Sequence, residues 1–345
     1  MKTKSLNKNL HAAKNSKKDE FYTQLSDIEK ELKHYKDHFK GKVVLCNCDD
    51  PRVSNFFHYF SYNFETLGLK KLITTCYKNQ NRDLFSEHDS ERAIYLEYNG
   101  DKNNDKVPNP EEIGIIPLNG DGDFRSDECI ELLKQADIVV TNPPFSLFRE
   151  YVTQIADSGK KFLVIANHNA ITYKEIFKLI RENKIWLGAS QPVAFMVPDD
   201  YEMREVRSWR DENGKNWRSL GNACWFTNLD TPKRHEEIIL YKTFNAKDYP
   251  QYDNYDAIEV SKVADIPIDY DGVMGVPITF LDKYNPKQFE ILGITDRGNE
   301  WGLKTKEYTL EDVPNPGDLN RRAAVKIGDT YKATYARLLI KKKAS

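Results

Sequence analysis

Asp137-Ile138-Val139-Val140-Thr141-Asn142-Pro143-Pro144-Phe145 is the stretch on which the reading of this chain turns. Its first five residues make a short apolar run rich in β-branched side chains, the pattern of a strand buried on both faces. Two consecutive prolines end that strand, since neither can donate to a ladder and each fixes its own φ. Similar runs recur on either side. Lys42-Val43-Val44-Leu45-Cys46-Asn47-Cys48, Leu72-Ile73-Thr74-Thr75-Cys76-Tyr77 and Gly114-Ile115-Ile116-Pro117-Leu118 precede it, and Phe162-Leu163-Val164-Ile165-Ala166 follows. Helices are predicted between them at about 52–67, ending at Gly68, at about 126–136, from the proline loop to about 158, and at about 172–183. Strands alternating with helices of this length imply an α/β fold, its mostly parallel sheet covered on both faces. Such a sheet binds its ligand beyond the carboxyl ends of its strands, where Asn142–Phe145 lies.

The pattern changes after residue 190. Val193–Val197 and Ala223–Thr227 read as a terminal antiparallel hairpin with a polar tip at 199–221, and Ile238-Ile239-Leu240-Tyr241 as a further strand. Beyond 245 the alternation fades into a mixed α+β segment, and 78–112 reads as a polar insertion with one short strand at Ala93–Leu96. The expected organisation is a basic arm at 1–18, an α/β domain at 19–245 and an accessory region at 246–345. The arm, with no acid before Asp19, has two readings, a solvated tail or an electrostatic contact to phosphates.

Composition narrows the class. The 345 residues carry 51 Lys+Arg against 53 Asp+Glu, a net charge of -2, which excludes a histone-like polybasic protein. No apolar run approaches the ~20 residues needed to cross a bilayer, so no membrane association is expected. The N-terminal lysines lack an apolar segment behind them, so no secretory signal is read. Five cysteines (Cys46, Cys48, Cys76, Cys129 and Cys224) without such a signal point to free thiols in a reducing cytoplasm. Cys46 and Cys48 share a strand face and read as buried thiols rather than ligands; no metal is expected.

Asn142-Pro143-Pro144-Phe145 carries the chemistry. An exocyclic amine such as adenine N6 is a poor nucleophile because its lone pair is delocalised into the ring. The Asn142 side-chain oxygen and the Pro143 carbonyl can each accept one N6–H bond. Two fixed acceptors favour a pyramidal nitrogen whose lone pair points at an electrophile. The prolines hold those acceptors in place, and Phe145 offers a face for the base. No cysteine follows a proline, which argues against a cysteine nucleophile of the kind used for cytosine C5.

Five motifs in this order carry a family resemblance: Asp19-Glu20-Phe21-Tyr22-Thr23-Gln24; Cys46-Asn47-Cys48-Asp49-Asp50-Pro51-Arg52-Val53-Ser54-Asn55-Phe56; Gly122-Asp123-Phe124; Thr141–Phe145; and Gly221-Asn222-Ala223-Cys224-Trp225-Phe226-Thr227-Asn228. From Asp19 to roughly the last quarter, the chain resembles the adenine-specific DNA methyltransferases of the EcoRI type. The resemblance implies a Rossmann-like methyltransferase sheet, S-adenosylmethionine as donor and adenine N6 in double-stranded DNA as acceptor. It also implies roles. Phe21, Tyr22 and Thr23 would line the methionine end of the cofactor, and Asp49, Asp50 and Pro51 would form the loop after the first strand. Asp123 would accept from the cofactor's adenine amine with Phe124 beside the ring, and Asn142, Pro143, Pro144 and Phe145 would hold the target base. Two features depart from the wider pattern. No glycine lies between Gly41 and Gly68, and the second strand ends in Cys76-Tyr77-Lys78 without the acid that binds ribose hydroxyls. Asp49 or Asp50 could substitute for that acid, or serve only to cap the following helix.

The 199–221 tip holds Arg204, Arg207, Trp209, Arg210, Trp217 and Arg218 among Glu202, Glu205, Asp211 and Glu212. It is either a solvated charged loop or a DNA contact with a wedge for the gap left by a flipped base. The expected partners are therefore DNA and, in a restriction-modification setting, a cognate endonuclease that forms no stable complex with a monomeric enzyme. A methyltransferase for RNA or protein glutamine, or a DNA-binding relative without catalysis, is the competing expectation.

Overall fold

The structure, a computed structural model, describes residues 22–47, 54–76, 93–103, 108, 112–197, 203, 205–296, 298 and 301–343. The basic arm, Phe21, Cys48, Asp49, Asp50, Pro51, most of the 78–112 insertion and Arg204 lie outside the described residues. By its contacts the chain divides into two compact units, Met1–His168 with Gly188–Leu229, and Asn169–Leu187 with Asp230–Ser345. The second unit therefore begins ahead of residue 246, where the sequence pattern fades.

In chain order, the first unit contains β1 (Tyr22–Thr23), α1 (Leu25–Leu32), α2 (Lys36–Phe39), β2 (Val43–Asn47), α3 (Asn55–Tyr62), α4 (Phe64–Leu67), β3 (Lys71–Thr75), β4 (Ile94–Tyr98) and β5 (Ile113–Pro117). It continues with α5 (Asp127–Gln135), β6 (Ile138–Thr141), α6 (Phe148–Asp157), β7 (Lys161–Asn167), β8 (Phe195–Met196), β9 (Ser208–Arg210), β10 (Asn216–Arg218) and β11 (Ala223–Thr227). The strands this unit contributes to the large sheet run β5-β4-β3-β2-β6-β7-β11. The central four, β3-β2-β6-β7, are parallel; β4 pairs antiparallel with β3 and β11 with β7, and β5 pairs antiparallel with β4.

Burial explains the apolar runs. Every residue of β6 is buried, as are four of the five in β2, because both faces of the sheet are covered. Val44, Val140, Leu163 and Trp225 face one way and pack with Ile28, Leu32, Phe39, Phe56 and Phe60 of the N-terminal helices. Phe39 and Phe60 meet edge to face at 5.2 Å, as do Phe56 and Trp225 at 6.2 Å. On the opposite face Phe148 of α6 stands 5.2 Å from Phe226 of β11. Local signals set the helix ends: the Ser126 hydroxyl accepts from Cys129 N at the start of α5, and Gly68 at φ 62° closes α4.

Two predicted elements are corrected. Ala223–Thr227 does not pair with Val193–Val197; it lies antiparallel to β7, Ala223 opposite Asn167 and Thr227 opposite Leu163. The 195–196 strand belongs instead to a second sheet of order β1-β8-β10-β9. The cause is a pair of acids one turn apart on α1. Asp27 Oδ2 accepts from Val193 N at 2.9 Å. Fully buried Glu31 accepts from Ala189 N (2.7 Å), Ser190 N (2.6 Å), Ser190 Oγ (2.6 Å) and Tyr35 OH (2.8 Å). These bonds draw the 189–193 segment onto the N-terminal helix, and β8 then continues beside β1. The second correction is that Ile238–Tyr241 forms no strand. Its backbone at Ile238 is satisfied by the side-chain amide of Gln288, which accepts from Ile238 N at 2.7 Å and donates to Ile238 O at 3.2 Å.

The second unit contains α7 (Lys174–Arg181), β12 (Ile258–Glu259), β13 (Met274–Pro277), β14 (Phe289–Ile294), α8 (Gly317–Arg321), β15 (Ala324–Ile327), β16 (Thr330–Ala333) and β17 (Arg337–Lys342). A four-stranded sheet of order β12-β13-β17-β14 stands beside the β15–β16 hairpin. Within it the Arg337 guanidinium donates to buried Glu259 at 2.7 and 3.1 Å, and the Tyr252 hydroxyl donates to the same carboxylate. Among the described residues, no helix is long and apolar enough to cross a membrane.

Glu31→Ala should lower unfolding free energy by about 3 kcal/mol or more in urea titration, because four donors lose one buried acceptor. Lys30→Ala, exposed on the same helix, should change it by less than ~0.5 kcal/mol.

Candidate active site

The parallel strands define where a ligand can sit. Chain order runs from β2 outward to β3 on one side and from β6 to β7 on the other, so the connections diverge between β2 and β6. That gap is the topological switch point, the place at the strands' carboxyl ends where open parallel sheets bind their ligands. Val44 pairs with Ile138 and Leu45 with Val139, so Asn47 and Thr141 end their strands side by side. The Thr141 hydroxyl donates to the Asn47 carbonyl, and the Tyr151 hydroxyl of α6 donates to the Asn47 side-chain oxygen.

Asn142–Phe145 leaves β6 at this point. Asn142 is 6% exposed and Pro143 is buried, while Pro144 and Phe145 are half-buried. Phe145 packs on the main core, and Leu147 N donates to Pro144 O at 2.9 Å, closing a turn that leads into α6. The tetrad is thus a short, rigid rim, anchored by a strand on one side and a helix on the other.

Asp123 and Phe124 reach the same end by way of Gly122. Gly122 has φ +79°, and a Cβ there would lie 2.2 Å from Cys76 O, just past the end of β3. Only glycine allows that approach. Phe124 meets Tyr151 edge to face at 5.1 Å, which links this loop to Asn47 through one tyrosine. The Asp123 carboxylate is already engaged, accepting from Arg125 N at 2.9 Å, Nε at 2.8 Å and Nη2 at 2.5 Å. Burial alone would raise the Asp123 carboxyl, but hydrogen bonds and charge from Arg125 more than offset this and hold it below its ordinary value. Arg125 also reaches Glu150 at 3.3 Å and lies 5.1 Å over the Phe124 ring.

Thr23 is buried, its carbonyl accepting from Asn55 Nδ2 at 2.8 Å at the first residue of α3. Among the described residues its own buried hydroxyl has no hydrogen-bond partner. A buried hydroxyl with unmet capacity, beside the helix that follows β2, fits a polar ligand at the switch point. Tyr22 precedes it on β1, in register with Met196. Among the described residues, no group of three or more His, Cys, Asp or Glu could hold a metal ion. A shallow depression lined by Lys42, Asp137 and Lys161 lies at the amino ends of the strands, opposite the tetrad.

Of the six arginines and tryptophans expected to meet DNA, Arg204 lies outside the described residues, and those on the hairpin strands do not share one face. Ser208 pairs with Arg218, Trp209 with Trp217 and Arg210 with Asn216, so Trp209 and Trp217 share one face while Arg210 and Arg218 take the other. Arg207 turns back on Gly221, where a Cβ would meet its guanidinium at 2.0 Å. Arg125 and Tyr151 are not among the residues that the sequence singles out, and Asn55 enters there only as part of a motif without a role. Tyr151 sits in the apolar stripe of α6 with Phe148, Val152 and Ile155 and so looks like core.

A parallel sheet with an Asn-Pro-Pro-Phe rim at its switch point defines a methyltransferase acting on an amino nitrogen. Residues 9–343 match the family model described as adenine-specific methyltransferase EcoRI. The chain is 54% identical to Type II methyltransferase M.EcoRI of Escherichia coli over 297 residues, 85% of this chain and 90% of the relative. It is 41% identical to Type II methyltransferase M.MpnI of Mycoplasma pneumoniae (81% and 83% covered) and 40% identical to Type II methyltransferase M.MgeORF184P of Mycoplasma genitalium (81% and 84%). No solved structure matches the chain. The chain belongs to the EcoRI adenine-specific methyltransferase family and is an adenine-specific DNA methyltransferase.

Gly122→Ala should lower the melting temperature, at a cost of about 1–3 kcal/mol, since it combines a left-handed φ with a clash against backbone. Gly214→Ala also has positive φ but meets none of the described residues within 4 Å, so it should cost less in the same thermal melt.

Proposed function

We propose that this chain methylates N6 of an adenine flipped out of duplex DNA at a specific sequence, with S-adenosylmethionine as donor, as the protective partner of a restriction endonuclease. The observation that carries this reading is the exit of Asn142–Phe145 from β6 at the switch point, beside the end of β2. When bound, S-adenosylmethionine supplies a methyl group on a positively charged sulfur. The residues suited to hold it are Thr23, whose buried hydroxyl lacks a partner among the described residues, and Asp123 with Phe124. Tyr22, Phe21 and the Asp49-Asp50-Pro51 loop belong to the same proposed wall.

The chain's own contribution to the chemistry is directional. The Asn142 side-chain oxygen and Pro143 carbonyl accept the two N6–H bonds and turn the nitrogen lone pair out of the ring. Phe145 stacks on the base, offsetting the cost of taking it from the duplex. As N6 gains a substituent its proton becomes acidic and leaves to solvent, so no ionised side chain is needed as a base. The enzyme works as a monomer and forms no stable complex with the endonuclease. The 246–345 region, with its basic residues, adds DNA contact.

Single-molecule sequencing of DNA from cells expressing the protein should reveal N6-methyladenine in one sequence context. Asn142→Ala should abolish that signal and lower kcat by about 100-fold or more with the melting temperature unchanged. Phe145→Ala should lower kcat/KM by roughly 10- to 100-fold. Equal modification by wild type and Asn142→Ala, or methyl transfer only to RNA or protein, would sink the proposal.

A further inference from the structure

The outer face of the second sheet carries a feature that the methyl-transfer chemistry leaves unused. Trp209 and Trp217 sit directly opposite each other on β9 and β10, their rings 6.2 Å apart and 9° from parallel. Trp217 pairs on with Met196, and Met196 with Tyr22. The neighbouring row runs Ser208, Arg218, Phe195, Thr23, and ends in the buried side chains of Phe195 and Thr23. That row faces the core, so the tryptophan row faces outward, and Trp209 remains 43% exposed.

The pair is rigid. Asp211 in the connecting turn accepts from Trp217 Nε1 at 2.8 Å and from the backbone of Asn213 and Lys215 at 2.9 Å. The Trp217 bond first, then the backbone bonds, holds the Asp211 carboxyl below its ordinary value. Pairing to β8 and β1 anchors a hairpin that would be marginal alone. Trp217 is therefore a fixed platform on which Trp209 presents one free aromatic face.

The hairpin also stands at the right end of the molecule. β11 begins at Ala223 opposite Asn167, the carboxyl end of β7, and His168 N donates to Asn222 O at 2.6 Å. The chain thus leaves the hairpin at the same end of the sheet as Asn142. Lys215 stands in the turn beside the tryptophans, where Asp211 is already committed to hydrogen bonds, while Arg210 and Arg218 lie on the opposite face of the hairpin.

We propose that Trp209, backed by Trp217, is the side chain that stacks into the duplex where the target adenine has left. The inference rests on the adenine-methylation reading above. A planar indole can replace the stacking a flipped base gives up, without reading sequence. Trp209 is a positioning residue, acting through the DNA rather than on the reacting atoms.

The test uses a duplex carrying the sequence found methylated by single-molecule sequencing, and a second duplex with 2-aminopurine at the target adenine. Trp209→Ala should lower kcat/KM on the first about 10- to 100-fold and reduce the rise in 2-aminopurine fluorescence on binding the second. Trp209→Leu, which keeps apolar bulk on the hairpin, should behave like alanine, whereas Trp209→Phe should restore both readouts to within about fivefold. Trp209→Ala or Trp209→Leu within twofold of wild type with a full fluorescence rise would overturn the wedge. Absence of methylation by the wild-type enzyme would instead defeat the underlying reading of its function.

Discussion

The carboxyl end of the central sheet depends on two adjacent parallel strands stopping at the same level. β2 and β6 pair in register, so their last residues, Asn47 and Thr141, meet at the point where the chain's connections diverge. The Thr141 and Tyr151 hydroxyls both donate to Asn47, one to its carbonyl and one to its side chain. That small network fixes the strand ends at the switch point. From it Asn142–Phe145 extends on one side, while Tyr151 passes the constraint through Phe124 to Asp123 on the other. The Asn142–Phe145 segment and the Asp123–Phe124 loop, the rim and donor wall of the proposed function, are thereby tied to one residue pair.

A second constraint comes from α1. Asp27 and Glu31 use carboxylates where the core would accept apolar groups, and the cost is offset by several short hydrogen bonds to backbone amides and hydroxyls. In return, the chain after residue 188 is held close enough for β8 to pair with β1. Gly188 is part of the same fit, since a Cβ there would lie 2.3 Å from Glu31 Oε1 and 2.6 Å from Trp225 Cβ. The resulting small sheet carries Thr23 in one row and the exposed tryptophans in the next. The proposed donor-side and DNA-side features are neighbours in one hydrogen-bonded ladder.

Much of this was legible in the sequence because buried parallel strands announce themselves. β2, β3, β6 and β7 fall where continuous apolar runs predict them, and the proline pair after Thr141 marks the strand exit without further information. The partner of 223–227 was not legible. Its true neighbour, 161–167, lies far back in the chain, and the acids that divert 193–197 look like ordinary surface charges on an amphipathic helix. Ile238–Tyr241 has strand-like composition, yet a single glutamine side chain takes the place of a neighbouring strand. The arginines of the hairpin illustrate a third limit. Composition groups them with the tryptophans, while the two-residue period of a strand separates Arg210 and Arg218 from the Trp209 face.

The most direct test of the proposed site at the β2–β6 switch point is amide hydrogen exchange of the whole protein with and without S-adenosylhomocysteine, the demethylated product. Slowed exchange concentrated in 119–125 and 145–151 is the expected result, because these segments line the carboxyl ends of the parallel strands. Protection instead around Lys42, Asp137 and Lys161, at the opposite ends of the same strands, would contradict the placement of the active site.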